Sequence, residues 1–264
     1  MIASKMFRHA VVLVVILWGL WIPCAVSYSI SGRIVGGKNA NDIDLPWMVS
    51  IRSSGTHICG GSIINKRTIL TAAHCLKYGN PKLLKIRVGS KYKSSGGQLV
   101  DVQTVSYHSD FLSSTMDYDI GAIRLAEDLE FSDSVQPIAL PAAGEDVDEG
   151  AKGVVSGWGY YTPFGPEAQY LQYAEITMIN QATCNRLLRD ELTDRMVCAG
   201  VLTGGVDACQ MDSGGPLVVR SKLVGIVSWG ISCALPNKPG VYTRVSELVP
   251  WVEKYLNRFG ETLE

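Results

Sequence analysis

Short apolar stretches recur along the chain, and turns rich in Gly, Pro, Asn and Ser separate them. Most have the length of a β-strand, and many contain the β-branched residues that strands favour. The stretches are 47–52, 62–64, 85–88, 99–105, 120–125, 152–156, 217–219 and 223–228. The pattern predicts an all-β fold, a barrel or a sandwich, rather than alternating strands and helices.

The C-terminal segment has the one clearly helical pattern. Its apolar residues recur at helical spacing on one face, after Ser246 as the expected N-cap. They are Leu248, Trp251, Val252, Tyr255 and Leu256. The acidic stretch 144–150 contains glycines and is expected to be a loop.

The N-terminal segment has the features of a signal peptide. Basic Lys5 and Arg8 precede an apolar run over 10–22, and the small residues at 25–27 suit signal peptidase. An uncleaved membrane anchor is the alternative, but the run is short against the roughly 20 residues of a spanning helix. We therefore expect a signal peptide over 1–27 and a secreted protein without a membrane span.

Cysteine content and charge narrow the class of protein further. Of the seven cysteines, Cys24 leaves with the signal, and an even number remains, which in an exported chain predicts three disulfides. The spacing alone does not decide their pairing. No metal-binding spacing is present, so we expect no metal or cofactor. The net charge of −1, without long charged runs, argues against a nucleic-acid partner.

Three separated segments supply His, Asp and Ser in that order. His74 ends the segment TAAH, Asp119 precedes the apolar run 120–125, and Ser213 lies in MDSGGP at 211–216. In a catalytic triad the serine attacks, the histidine carries the proton and a buried aspartate orients the imidazole. These three residues are therefore the candidate catalytic group.

Other residues of the same types are weaker candidates. His9 falls in the signal peptide, and His57 and His108 lie in polar, turn-like sequence, where we expect surface residues. Asp117 is the alternative to Asp119, but no apolar run follows it directly.

These motifs, together with RIVGG at 33–37, resemble the chymotrypsin family of serine peptidases, and within it the trypsins of arthropods. The resemblance extends from Arg33 to the terminal helix. It implies two packed six-stranded antiparallel β-barrels with a C-terminal helix and the active site between them. It also implies an activation peptide over 28–33 and a peptidase domain over 34–264.

The resemblance assigns further residues to substrate binding. Asp207 would lie at the base of a pocket that takes Arg or Lys, with Ser228, Gly230 and Gly240 along its walls. The backbone N–H groups of Met211 and Ser213 would form the oxyanion hole.

Activation and disulfides follow from the same resemblance. An activating protease would cut after Arg33, and the new ammonium of Ile34 would pair with Asp212. The implied disulfides join Cys59 to Cys75, Cys184 to Cys198, and Cys209 to Cys233.

Two positions depart from the family pattern. Met211 replaces a glycine, and its side chain is expected either to strain the oxyanion hole or to exclude rigid protein inhibitors. The loop 89–100 has no acidic residue, so we expect no calcium site there.

Three functional hypotheses remain open from the sequence. We favour an active monomeric endopeptidase whose partners are protein or peptide substrates, protein inhibitors and the activating protease. The alternatives are a catalytically weak homologue that acts by binding, and a selective signalling protease. The intact His, Asp and Ser favour the active enzyme.

Overall fold

The computed structural model describes residues 34–41, 44–160, 166–189 and 191–263. The expected signal peptide, the activation peptide and Cys24 lie outside these residues and remain predictions. In the described part of the chain, no helix is long and apolar enough to cross a bilayer.

A barrel of six antiparallel strands forms from the N-terminal half of the chain. A two-residue strand, β1 (Lys38–Asn39), precedes it. The barrel strands are β2 (Met48–Ser53), β3 (Thr56–Ile63), β4 (Thr68–Thr71), β5 (Leu84–Val88), β6 (Gln98–Tyr107) and β7 (Gly121–Leu125). They pair in the order β2-β3-β4-β7-β6-β5, and β5 closes the barrel on β2, where Ile86 lies opposite Ile51. Fully buried Ile51, Ile69 and Ile123 belong to its core.

The C-terminal half forms a second barrel. Its strands are β8 (Lys152–Gly157), β9 (Gln172–Ile179), β10 (Met196–Gly200), β11 (Pro216–Val219), β12 (Lys222–Trp229) and β13 (Gly240–Arg244). They pair in the order β9-β10-β13-β12-β11-β8, β8 closes on β9, and β1 adds to β9. The predicted pair of six-stranded antiparallel barrels is confirmed.

The apolar core of the first barrel extends into the second barrel, which also has a core cluster of its own. Leu223 and Ile226 of β12 pack in the same buried cluster as the core residues of the first barrel. Burial of this shared apolar surface fixes one barrel against the other. Side chains that the two barrels present to their junction therefore keep fixed relative positions.

Within the described residues, three α-helices accompany the barrels: α1 (Ala73–Lys77), α2 (Gln181–Leu188) and α3 (Val245–Asn257), and Pro81–Leu83 forms a 3-10 turn. The expected C-terminal helix is α3, and its predicted apolar face is buried except for Trp251, which is half-buried. Its N-cap is Arg244, and Ser246 lies inside the first turn, so the predicted cap was wrong. The helix starts earlier because Val245 is already fully buried.

The acidic stretch 144–150 is a loop, as predicted. Its carboxylates pair with cations of the second barrel: Glu145 with Lys222, Asp146 with Arg244, and Asp148 with Arg220. These pairs leave the stretch no concentration of free negative charge.

The loop between β5 and β6 contains a buried lysine. Lys93 is 6% exposed, and its ammonium pairs with Glu167. The Arg52 Nη1 atom donates to the Lys93 carbonyl oxygen at 2.5 Å. The expectation that this loop holds no calcium ion remains a prediction.

Candidate active site

His74 and Asp119 form a hydrogen-bonded pair near the junction of the barrels. His74 lies in α1, directly after β4, and Asp119 lies two residues before β7. The His74 Nδ1 atom is 2.8 Å from Asp119 Oδ2, and Asp119 Oδ1 accepts the His74 backbone N–H at 2.9 Å. A carboxylate only accepts, so Nδ1 carries the proton and Nε2 is left as the basic nitrogen.

The second barrel supplies the other donors to Asp119. The Ser228 hydroxyl donates to Asp119 Oδ2 at 2.6 Å, and the Thr243 hydroxyl donates to the Asp119 carbonyl oxygen at 2.7 Å. The Asp119 side chain is fully buried, so the bonds from Ser228 and His74 to its carboxylate offset the cost of removing its charge from water. Ser228 also lines the pocket expected from the sequence, but its hydroxyl is bonded to Asp119.

Asp117, the alternative acid, has different partners. Its Oδ2 atom accepts from Arg195 Nη2 at 2.7 Å, and its Oδ1 atom accepts from Thr193 at 2.8 Å. Burial alone would raise the pKa of Asp117, but the hydrogen bonds from Arg195 and Thr193 outweigh burial and lower it. The carboxylate that bonds to His74 is that of Asp119.

Ser213 lies in the loop before β11, held against the first barrel. Its carbonyl oxygen accepts the Gly60 N–H at 2.8 Å. The next residue, Gly214, has φ +78, and a Cβ there would lie 2.1 Å from Thr71 Oγ1, so only glycine fits. In the described chain no hydrogen bond joins the Ser213 hydroxyl to the His74 ring, a contact that often tightens only with substrate bound.

The disulfides pair as the resemblance implies: Cys59 with Cys75, Cys184 with Cys198, and Cys209 with Cys233. The first joins β3 to α1 beside His74. Both of its sulfurs lie within 4.8 Å of a His74 ring nitrogen. Sulfurs bonded to each other are not thiolates, so this cluster is not a metal site.

The loop that leads to Ser213 passes through a strained residue. Met211 has φ +73, in the left-handed region that favours glycine. In the described chain, the N–H groups of Met211 and Ser213 donate to no protein acceptor. Two backbone N–H groups without acceptors on one short loop can bind an oxygen atom of a ligand.

His57 is buried under this loop, and the expectation of a surface histidine was wrong. The residue is 2% exposed, and its ring packs edge-on against Trp158, with ring centroids 5.8 Å apart. It follows the hairpin turn at Ser54 and Gly55, and from β3 its side chain faces the Met211 loop. Burial lowers the pKa of His57 to about 4, so the ring is neutral at physiological pH.

A pocket of about 200 Å³ lies beside Ser213. Gly230, Gly240 and the buried Asp207 line it. The Asp207 Oδ2 atom accepts the Ala234 N–H at 3.2 Å, but Oδ1 has no hydrogen-bond partner in the described chain. A Cβ on Gly240 would lie 3.0 Å from Oδ1, so glycine keeps this oxygen open. Burial raises the pKa of Asp207 to about 7.

Ile34 and Asp212 are both fully buried in the second barrel. The next residue, Val35, accepts the Asp207 N–H at 3.1 Å, so the chain just after Arg33 reaches the pocket. Asp212 accepts the Gly159 N–H at 2.8 Å and the Cys209 N–H at 3.0 Å. Burial nevertheless raises the pKa of Asp212 to about 7.

Comparison with known proteins identifies the class to which this fold and site belong. A family model described as Trypsin matches residues 34–252. The chain is 43% identical over 227 residues to trypsin 5G1 of Aedes aegypti, and the aligned region covers 85% of each chain. It is 41% identical over 224 residues to the vitellin-degrading protease of Bombyx mori, and the aligned region covers 84% of this chain and 85% of that protein.

Two joined barrels with a buried His-Asp pair and a serine loop at their junction define a serine peptidase of the chymotrypsin type. The chain belongs to the trypsin family and is a serine endopeptidase that acts on proteins. The resemblance drawn from the motifs, including that to arthropod trypsins, is confirmed.

The ion pair of Asp117 gives a prediction about stability. In Asp117→Asn, urea denaturation at pH 7 in the presence of a serine-peptidase inhibitor should show a free energy of unfolding lower by about 2 kcal/mol. Because the pKa of Asp117 is lowered in the folded state, this contribution is present above its ordinary pKa of about 4. It is lost as the pH falls through the lowered value, so the two proteins should converge in acid.

Asp148→Asn is the matched control, because Asp148 pairs with Arg220 at a site where both side chains are 72% exposed. It should change stability by less than about 1 kcal/mol. Equal losses in both variants, or a loss at Asp117 that persists in acid, would contradict the prediction.

Proposed function

We propose that the protein is a secreted endopeptidase that cleaves after Arg and Lys and is activated by a cut after Arg33. His74, Asp119 and Ser213 are its catalytic triad. The observation that carries the proposal is the free Oδ1 atom of buried Asp207 in the lining of the pocket. A buried carboxylate without a full set of partners favours a ligand that brings a cation.

The chemistry follows from the geometry of the His74 pair. Ser213 Oγ attacks the substrate carbonyl carbon while its proton passes to His74 Nε2. The imidazolium that results is stabilised by Asp119, which already holds Nδ1. His74 then protonates the leaving amine, an acyl-enzyme forms, and water releases the acid by the same steps in reverse order.

The negative charge of the tetrahedral intermediate falls on the carbonyl oxygen. The N–H groups of Met211 and Ser213 are the proposed donors to it, and their freedom from other acceptors in the described chain supports this role. Donors that need no rearrangement during the reaction stabilise the transition state most.

Substrate selection rests on the charge of Asp207. A substrate cation beside Oδ1 would favour the ionised carboxylate and lower its raised pKa. Arg is the better ligand because its planar guanidinium can bond both carboxylate oxygens. Ala208, which also lines the pocket, has no hydroxyl to help the shorter Lys ammonium.

Activation rests on the surroundings of Asp212. Its buried carboxylate accepts from two backbone N–H groups, but burial still raises its pKa. A cation beside the carboxylate would offset the free-energy cost of burying its charge. The ammonium of Ile34, freed by a cut after Arg33, is the proposed cation. Burial of Ile34 in the same barrel supports this assignment.

Export and partners complete the proposal. The three disulfides support an oxidising, extracellular location for a chain with a signal peptide over 1–27. The proposed partners are protein substrates, an activating protease and protein inhibitors, and the peptidase domain over 34–264 acts as a monomer.

Ala208→Ser tests the account of specificity. The added hydroxyl should raise kcat/KM for Lys peptides about 10-fold, because a hydrogen bond to a charged group is worth about 1.5 kcal/mol, and should change Arg peptides less than about 2-fold. The measurement compares matched peptides that differ only at the cleaved residue. Asp207→Asn is the control and should lose both activities. Equal cleavage of Arg and Lys by the unaltered enzyme would contradict this account.

Arg33→Gln tests activation. The uncut variant should hydrolyse short Arg peptides at least about 100-fold more slowly than the cut enzyme, because its oxyanion loop lacks the cation at Asp212. In the cut enzyme the amine must be charged, and pairing raises its pKa above the ordinary value of about 8. Activity should therefore persist below that raised pKa and fall as the pH rises through it. An uncut variant as fast as the cut enzyme would rule out this mechanism.

A further inference from the structure

Another cavity, of about 240 Å³, lies between the end of β6 and the helix α3. Ser106 and Tyr107 line it from the strand, and Trp251, Lys254 and Arg258 line it from the helix and its C-cap. None of these residues lines the pocket of the candidate active site. The cavity is therefore a separate feature of the surface.

The charged groups around this cavity are all donors of hydrogen bonds. Lys254 and Arg258 are exposed, lie one helical turn apart and make no ion pair within the described residues. The Ser106 hydroxyl also has no hydrogen-bond partner in the described chain. No carboxylate lines the cavity. Two cations and a free hydroxyl around one cavity suit an anionic ligand.

Tyr255 adds a buried hydroxyl to the same cavity. The residue is 3% exposed, and its hydroxyl has no hydrogen-bond partner in the part of the chain that the structure describes. Burial raises the pKa of Tyr255 to about 12, although the charges of Arg124 and Arg258 oppose this rise. Both arginines therefore add positive charge around the cavity.

Cations at the end of a helix also have a structural role. Lys254 lies in the last turn of α3, and Arg258 is its C-cap. Their charges favour the negative end of the helix dipole, which accounts for them without any ligand. The dipole does not account for a cavity that these two side chains border together with a free hydroxyl and two aromatic rings.

The size and the walls of the cavity favour a ligand with one ring. The volume is smaller than the roughly 300 Å³ at which sites for drug-sized ligands begin, so the cavity takes one ring-sized unit. Tyr107 is 38% exposed and Trp251 is half-buried, and aromatic side chains bind the flat faces of other rings. The backbone of α3 is hydrogen-bonded within the helix, so this wall has no row of free backbone groups to bind an extended peptide.

We propose that this cavity binds a sulfated saccharide ring. The sulfate oxygens accept hydrogen bonds from Lys254 and Arg258, Ser106 bonds a sugar hydroxyl, and the sugar ring packs on Tyr107 and Trp251. The inference goes beyond the proposed peptidase function and does not depend on it. Such binding would hold the protein on a sulfated glycan while the active site stays open.

Binding of a disulfated chondroitin disaccharide tests the inference. The full-length protein is kept intact by a serine-peptidase inhibitor, and binding is followed by nuclear magnetic resonance titration. The unsulfated disaccharide, which keeps the uronate carboxylate, should bind at least about 10-fold more weakly, because it lacks the charge-assisted hydrogen bonds of the sulfates. The affinity for the disulfated ligand should fall as the salt concentration rises.

Substitutions at the two cations should weaken this binding. Lys254→Gln and Arg258→Gln should each lower the affinity about 5-fold, and both together at least about 20-fold, since each removes a charged donor. Arg258→Lys keeps the charge and should retain most of the affinity. Lys82→Gln, at an exposed lysine outside the cavity, is the matched control and should change nothing.

Two further substitutions separate the ring from the charge. Tyr107→Ala should weaken the disulfated disaccharide about 3-fold and leave the binding of inorganic sulfate unchanged, because only the sugar packs on the ring. Asp110 acts in the opposite direction, since its Oδ1 atom accepts at 3.2 Å from the hydroxyl of Ser109, which lines the cavity. Asp110→Asn removes this negative charge and should tighten binding about 2-fold.

Equal binding of the two disaccharides would overturn the inference, as would an unchanged affinity in the double variant of Lys254 and Arg258. A blocked triglutamate peptide of equal charge that binds as tightly as the disulfated disaccharide would identify a site for acidic peptides instead. Inorganic sulfate that binds as tightly would identify a simple anion site. Either result would also contradict the proposal.

Discussion

The site depends on the hydrogen bonds that the buried Asp119 makes to both barrels. The first barrel bonds it through His74, the second barrel bonds it through Ser228, and Thr243 of the second barrel bonds the backbone carbonyl of the same residue. A charge removed from water requires all of these donors, so a displacement of either barrel would leave it partly unsatisfied. The shared apolar core holds the barrels together, and the carboxylate defines the position in which they meet.

Two other buried carboxylates are less well satisfied, and the fold leaves room for a cation at each. Burial raises the pKa of Asp207 and of Asp212 to about 7. In the proposed function the substrate supplies the cation for Asp207, and the new N-terminus at Ile34 supplies it for Asp212. Substrate choice and activation thus follow from the same electrostatic cost.

The apolar runs predicted an all-β fold and the helix α3, and the motifs showed the His-Asp-Ser order, because these are local signals. The two six-stranded barrels were implied by the family resemblance. The predicted runs did not include β9, whose exposed Glu175 interrupts the apolar pattern, nor β4, β10, β13 or α2. The sequence also predicted that His57 lies at the surface, and it assigned Ser228 only to the wall of the pocket. The environments of these residues depend on contacts between segments distant in sequence, which no single stretch of sequence encodes.

The most direct test concerns the free oxygen of Asp207. Benzamidine binding to the Ser213→Ala protein should be measured by calorimetry from pH 5 to 9, in buffers of different ionisation enthalpy. Because the free carboxyl has a pKa of about 7, binding of a cation below that pH should release a proton, and affinity should rise with pH and level off above about 7. Asp207→Asn should bind weakly without proton release. Binding of equal strength in both proteins, without proton release, would contradict the account.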